Sequence, residues 1–386
     1  ILREEVQLMA GDLSDIYHLF NPDTALINGD LNKYYVEIDQ NELNIGDLKN
    51  RLELGLKTRE PIKILFTGHR GSGKTSILNR LTSNLDDRFF VVHYNVLDLL
   101  DLNDITYVDV VFSILAKMLE KAQNDGVELG TDLNDRAERW GSSIIKTITQ
   151  NDSVGVGVGV NLPLCFINLF GRMKSETGTL TEVRKQIEPR VSELISIIND
   201  AIAEIEKNDK QVLVIIDNLE KIDSTKALNL FYGHATQLTQ PLCKIIYTFP
   251  ISLKSSEKFM QIKINFSDVI IHPNIKIHER DGSEYQKGIG FMKEIVSKRV
   301  STDLFEDDTL EYIIDMSGGV AREYIRIIRD SAIRALTRGK TSISKDIAME
   351  VVNGLKNFYK AQLSDDDYKV LQDVCRTKDI KRDEKL

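Results

Sequence analysis

Residues 68–75 read Gly-His-Arg-Gly-Ser-Gly-Lys-Thr, the residue types and spacing of a loop that grips phosphate, G-x-x-x-x-G-K-T. Glycines at 68, 71 and 73 let the backbone curl so that successive N–H groups converge on phosphate oxygens, where a Cβ would obstruct them. Lys74 is then placed to reach the β- and γ-phosphates and the Thr75 hydroxyl to ligate Mg²⁺. Upstream, Ile62, Ile64, Leu65 and Phe66 form a strand; downstream, Ile77, Leu78 and Leu81 continue a helix whose positive end faces the same phosphates. The expected nucleotide-contacting set is therefore Gly68, His69, Arg70, Gly71, Ser72, Gly73, Lys74, Thr75 and Ser76. A second acid-bearing position is Asp217, at the end of the apolar run Gln211–Ile216. An acid there, paired with the loop upstream, is expected to hold the Mg²⁺ coordination sphere, so the metal-side residues are Thr75 and Asp217. Glu220 lies three residues further on. Thr248, near the end of another apolar run, is expected at the carboxyl edge of a sheet, where open α/β sheets place their ligands.

The elements that must position these residues follow from periodicity. Apolar runs at 62–66, 89–95, 211–217, 243–249 and 268–272 suit strands covered on both faces. Helical spacing recurs at about 105–122, 189–207 and 224–239, giving the alternation of an open α/β sheet. His93, inside the second run, reads as a strand histidine with no companion ligand at a useful spacing. Helices are expected near 13–20 and at 45–56, the latter with Leu48, Leu52, Leu54 and Leu56 as apolar positions. That N-terminal stretch could cap a nucleotide base or cover a sheet edge. Between about 126 and 180 the alternation breaks: Val154, Val156, Val158 and Val160 share one face and Gly155, Gly157 and Gly159 the other, the pattern of an inserted β-hairpin. Its glycine face could meet a neighbouring subunit, a partner or a nucleic-acid backbone, or fold over its own domain. Helical patterns at 291–300, 309–316, 321–337 and 344–359 make a small bundle, with Gly318-Gly319 as the break before the third helix.

At 386 residues the chain is expected to form two or three domains. The first residue is Ile, so the chain reads as a possible fragment of something longer. The formal charge of −9 disfavours a nucleic-acid footprint over the whole surface, while leaving room for a local basic patch. Cys165, Cys243 and Cys375 have neither metal-ligand spacing nor a disulfide framework, which fits a reducing cytoplasm. No apolar run reaches about 18 residues and the N-terminus lacks a signal-peptide layout, so the expectation is a soluble, cytoplasmic protein with no membrane partner.

Taken together, GHRGSGKT, VLVIIDNLE and the polar Thr248 resemble the Walker A, Walker B and sensor-1 motifs of the AAA+ and STAND branch of P-loop ATPases. Among these the chain is similar to origin-recognition-complex ATPases and related bacterial regulators over approximately residues 60–340. SGGVAREYIRIIRDSAIRAL, Ser317–Leu336, resembles the sensor-2 helix of that family's lid, with Arg322 at the position that contacts the γ-phosphate. The resemblance implies an α/β fold of ASCE type: a parallel sheet core with a C-terminal helical lid, carrying the inserted hairpin. The domains expected are an N-terminal helical preface at 1–58, the ATPase core at 59–285 with its insertion at 126–180, and the lid at 286–360. The start of a winged-helix domain is expected at 361–386.

As catalytic residues the resemblance implies Lys74, Asp217, Glu220, Thr248 and Arg322, with ATP and Mg²⁺ as cofactors. ATP is preferred to GTP by this analogy, and no NKxD-type guanine-reading run is present. Two departures bear on rate. Asn218 stands where many AAA+ enzymes have a water-orienting glutamate and cannot accept a proton, leaving Glu220 either to take that task or to serve as a structural acid. Between Thr248 and Asp268 there are lysines but no arginine to act as a finger. A slow ATPase is therefore expected, acting as a nucleotide-dependent conformational or oligomerisation switch. Its partners would be copies of itself or an effector protein, in a bacterial antiviral defence system by the same analogy. The alternatives are a DNA-binding loader or remodelling ATPase and a scaffold with a structural nucleotide.

Overall fold

The computed structural model describes residues 11–37, 45–149 and 177–378. Five strands, β1 (Lys63–Gly68), β2 (Phe89–Asn95), β3 (Gln211–Asp217), β4 (Lys244–Thr248) and β5 (Asp268–His272), lie in the order β2-β3-β4-β1-β5. The pairings of β1 with β4, β3 with β4 and β2 with β3 are parallel. This is the α/β P-loop NTPase fold expected above, with a helical C-terminal region. β1, β3 and β4 are buried along nearly their whole length, as parallel strands covered on both faces must be, while β5, at the edge of the sheet, is partly exposed. The strand carrying the glycine loop and the strand ending in Asp217 are separated by β4, so three carboxyl ends share one edge. The Val/Gly hairpin expected around 153–170, with Cys165, lies outside the described residues. Those that flank it are helical, at Thr131–Thr149 and Thr177–Ile187.

The chain divides into two compact units, one of residues 44–67 and 81–271, the other of residues 1–43, 68–80 and 272–386. In the sheet unit, the helix Tyr107–Asn124 places Val108, Val111, Phe112, Leu115, Met118 and Leu119 in a core shared with Leu194, Ile198, Ile202, Ile216 and Tyr247. Its first turn is fixed by Asp109, whose carboxylate accepts the Thr106 N–H at 2.7 Å and is gripped by Arg184. The acid is thus buried and paired. The helix Ile45–Thr58 buries Leu48 and Leu52, but Leu54 is exposed. The helical stretch expected over 224–239 is broken into Ser224–Leu228 and Ala235–Thr239 by a π-helical turn at Asn229–Gly233. The wider turn holds Phe231 edge-on to Phe249, with ring centroids 5.1 Å apart.

The second unit has its own core. The helices Gln286–Ser297, Thr309–Met316, Ala321–Thr337 and Lys345–Lys360 bury Met292, Val296, Ile313, Ile328 and Ala348 around Tyr324, whose hydroxyl donates to Met292 O at 3.0 Å. Leu13, Ile16 and Phe20, from the N-terminal helix Leu13–Leu19 and the residue that ends it, complete this core. Lys298 and the buried Arg299 hold the same segment, donating to Tyr35 O at 2.7 Å and Tyr34 O at 3.3 Å. Gly318 and Gly319 turn the chain before Ala321–Thr337 with φ of +59° and +73°. A Cβ at Gly319 would stand 1.8 Å from Ile275 O, so only glycine fits. A further helix, Asp365–Thr377, is capped by Ser364 and buries no side chain. No helix among the described residues is long and apolar enough to cross a membrane.

His93 occupies the interior of β2 with Nδ1 3.2 Å from Thr82 Oγ1, and burial pushes its pKa down to about 4. A ring held neutral in the fold but free to protonate when unfolded, at about 6.5, contributes stability that is complete above that value. The contribution is lost as pH falls towards 4. On lowering the pH from 7 to 4.5, His93→Gln is expected to lose about 2 kcal/mol less unfolding free energy than the parent in urea titrations. Equal losses would show that the native ring protonates freely.

Candidate functional site

The loop that follows β1 supplies its own internal bonds. Gly71 and Gly73 have φ of +86° and +93°, the left-handed region that turns successive N–H groups to one side. The Ser72 N–H donates to His69 O at 3.2 Å, and Lys74 Nζ donates to Gly68 O and His69 O, both at 3.0 Å. A loop whose N–H groups face inward presents carbonyls outward, and these need donors. The Arg322 N–H donates to Gly71 O at 3.0 Å. His272 Nε2 lies 2.8 Å from Ser72 O; since a carbonyl only accepts, this nitrogen carries the proton. Burial, with the charge of Lys74 as a smaller contribution, pushes His272 down to about 4, so the ring is neutral. Packing is as close as bonding: a Cβ would stand 2.9 Å from Arg322 Cβ at Gly71 and 2.4 Å from His272 O at Gly68.

Around this loop, His69 and Arg70 are exposed, and Thr75 and Ser76 are partly buried in the first turn of the helix Lys74–Leu85. Ser76 Oγ accepts the Leu26 N–H at 3.1 Å, Asn79 Nδ2 donates to Leu26 O at 2.8 Å, and Arg322 Nε donates to Pro22 O at 3.1 Å. Residues 22–26 thus run from the start of the helix Ala321–Thr337 to the start of the helix Lys74–Leu85. The terminal guanidinium nitrogens of Arg322 have no hydrogen bond among the described residues.

In the sheet unit, the register sets Asn95 beside Asp217 and Thr248 beside Phe66. Asp217 is buried; its Oδ1 accepts the Asn218 N–H at 2.8 Å, while Oδ2 has no hydrogen-bond partner. A buried carboxylate oxygen left without a donor is costly, and a hydrated divalent cation is what would satisfy it, so this acid fits the magnesium role. Asn218 takes a left-handed φ of +68° and donates from Nδ2 to Asn95 Oδ1 at 2.8 Å. Its amide is thereby committed to the strand end. Glu220, partly exposed, sits in the short turn Leu219–Lys221 that follows. The fully buried Thr248 accepts the Leu219 N–H at 2.8 Å and donates to Ile216 O at 3.2 Å, pinning that turn to the strand it leaves. Among the described residues no cluster of three or more His, Cys, Asp or Glu could hold a metal by itself.

Residues 50–287 match the KAP family P-loop domain. The chain belongs to the KAP family. It is also similar to an uncharacterised ATP-binding protein of Methanocaldococcus jannaschii, 23% identical over 345 residues and spanning 85% of each chain. Among solved structures, it resembles the Aeropyrum pernix ORC2 protein in its ADPNP-ADP complexes with a TM-score of 0.48 and 12% identity, over 87% of this chain and 71% of that one. The RuvB Holliday junction branch migration motor of Thermotoga maritima gives 0.37 and 13%, over 86% and 74%.

In this KAP-family chain the structure brings Gly71, Ser72, Lys74 and Arg322 together in one unit, and Asp217, Asn218 and Thr248 together in the other. His272 and Asn95 were not singled out by sequence reasoning for roles here. A histidine closing the fifth apolar run and an asparagine closing the second were the only traces of them. Thr248→Val is expected to cost about 2 kcal/mol in urea unfolding, since the buried Leu219 N–H loses its acceptor, whereas Thr248→Ser should cost less than about 1 kcal/mol. Equal losses in the two variants would mean that the hydroxyl does not hold the turn.

Proposed function

We propose that this KAP-family chain binds ATP on the loop Gly68–Ser76 and uses it as a slowly hydrolysing switch that sets the posture of its helical lid. The observation that carries the reading is the hydrogen bond from the Arg322 N–H to Gly71 O, which starts the lid helix on the phosphate loop itself. Lys74 Nζ, now on the loop's own carbonyls, is the ammonium to meet the β- and γ-phosphates. The guanidinium of Arg322 is the lid's contribution to the γ-phosphate, anchored through Nε to Pro22 O. Loss of that phosphate would remove a contact that only the triphosphate state makes, which is the differential interaction a switch requires. The name of the archaeal relative supports nucleotide binding.

Magnesium, when bound, would supply charge neutralisation at the phosphates, with the Thr75 hydroxyl and the Asp217 carboxylate as the groups proposed to hold it. Asn218 is hydrogen-bonded to Asn95 and has no basic atom to take a proton from water. We assign the orientation of water to Glu220, and slow turnover follows from the missing adjacent glutamate. The lid posture would be read by a second copy of the chain or by a partner protein.

Lys74→Ala is expected to weaken ATP binding about a hundredfold, through loss of a charge-assisted contact worth up to about 3 kcal/mol. It should also remove any difference in particle size between samples with ATP, ADP and no nucleotide. Calorimetry that finds the parent affinity in the variant refutes the site. Glu220→Gln is expected to slow single-turnover hydrolysis about a hundredfold with ATP affinity unchanged; unaltered turnover makes Glu220 a structural acid.

A further inference from the structure

Four carbonyls on the loop's rim and interior are met by donors, and they differ in origin. Those of Gly68 and His69 take Lys74 Nζ, from the loop itself. That of Gly71 takes the Arg322 N–H from the lid helix, and that of Ser72 takes His272 Nε2–H from the last residue of β5. His272 is 2% exposed, and its own carbonyl closes on Gly68, where an added Cβ would meet it at 2.4 Å. Three residues on, the Ile275 N–H donates to Gly319 O at 3.0 Å, in the glycine turn that leads into the helix bearing Arg322. The chain from His272 to Ile275 and the turn from Gly319 to Arg322 therefore form a closed hydrogen-bonded circuit with the loop residues Gly71 and Ser72.

From this circuit we infer that His272 is a positioning residue for nucleotide binding: its Nε2–H, fixed on Ser72 O, holds the phosphate loop's amides inward and ties the loop to the root of the lid. The inference rests on the ATP-binding reading above and goes beyond it. His272 touches no phosphate; it acts through Ser72. An outward carbonyl at Ser72 without its donor is free to rotate, and rotation of that peptide swings the following N–H out of the phosphate cradle. The imidazole suits this place because its edge reaches a buried carbonyl while the residue's Cβ and its own carbonyl pack beside Gly68. A neutral ring also avoids placing a second cation beside Lys74.

The test uses the full chain and Mg²⁺-ATP by calorimetry. His272→Phe, which keeps a ring but no donor, is expected to weaken binding about three- to tenfold, and His272→Gln, whose amide restores an N–H, to stay within about twofold of the parent. Phe binding as tightly as the parent overturns the inference and leaves the ATP site standing. A parent chain that does not bind ATP removes both. If the Phe variant fails to fold, ¹⁵N-histidine spectra of the parent decide. Of the six histidines, the signal absent from His272→Gln should show the Nε2–H tautomer, stay untitrated from pH 8 to 5.5 and shift on adding ATP. A signal that titrates there, or is indifferent to ATP, overturns the role.

Discussion

Turning a run of peptide N–H groups towards one point obliges the same peptides to aim their carbonyls away from it, and that obligation shapes the rest of this molecule. An inward amide is useful for an anion only if its outward partner is satisfied; otherwise the peptide rotates to find water or another donor. Here the debt is met by Lys74 within the loop, by the main chain at the start of the helix Ala321–Thr337 and by an imidazole at the end of β5. The loop is consequently not a free-standing motif. Its conformation is set by elements that follow it by 200 residues or more, and their placement depends in turn on Gly319, where a side chain would collide with Ile275 O.

The other acid-bearing edge obeys a different constraint. Asp217 ends a strand buried on both faces, and the chain must leave that strand at once. It does so through Asn218 in a left-handed conformation, with Asn95 and Thr248 holding the exit. Asparagine tolerates positive φ better than glutamate. The absence of the adjacent glutamate and the sharpness of this turn are thus two faces of one local choice.

Much of this was legible in the residues themselves. The strands were visible because parallel strands in a covered sheet are apolar almost without interruption, and β5 matches its run of 268–272 at both ends. The loop was visible because its glycines are demanded by backbone geometry. What was not legible depended on contacts between residues far apart in sequence. The bond from His272 to Ser72 spans 200 positions, and no local pattern marks it. The break at Asn229–Gly233 was hidden because the apolar residues on either side keep helical spacing. Leu54 looked like a core position and faces solvent, since Leu48 and Leu52 already complete the buried stripe of its helix. That Thr248 would spend its hydroxyl on a neighbouring turn could not be read from a polar residue after an apolar run.

The core of the helical unit includes Leu13, Ile16 and Phe20, and Lys298 reaches Tyr35 across 263 positions of chain. During synthesis, at about 5–20 residues per second, the N-terminal helix waits on the order of tens of seconds before its packing surface exists. Throughout that interval its apolar face is open to any passing strand or chaperone. The ribosome completes the sheet unit first, and a helix made before it finds its place after it.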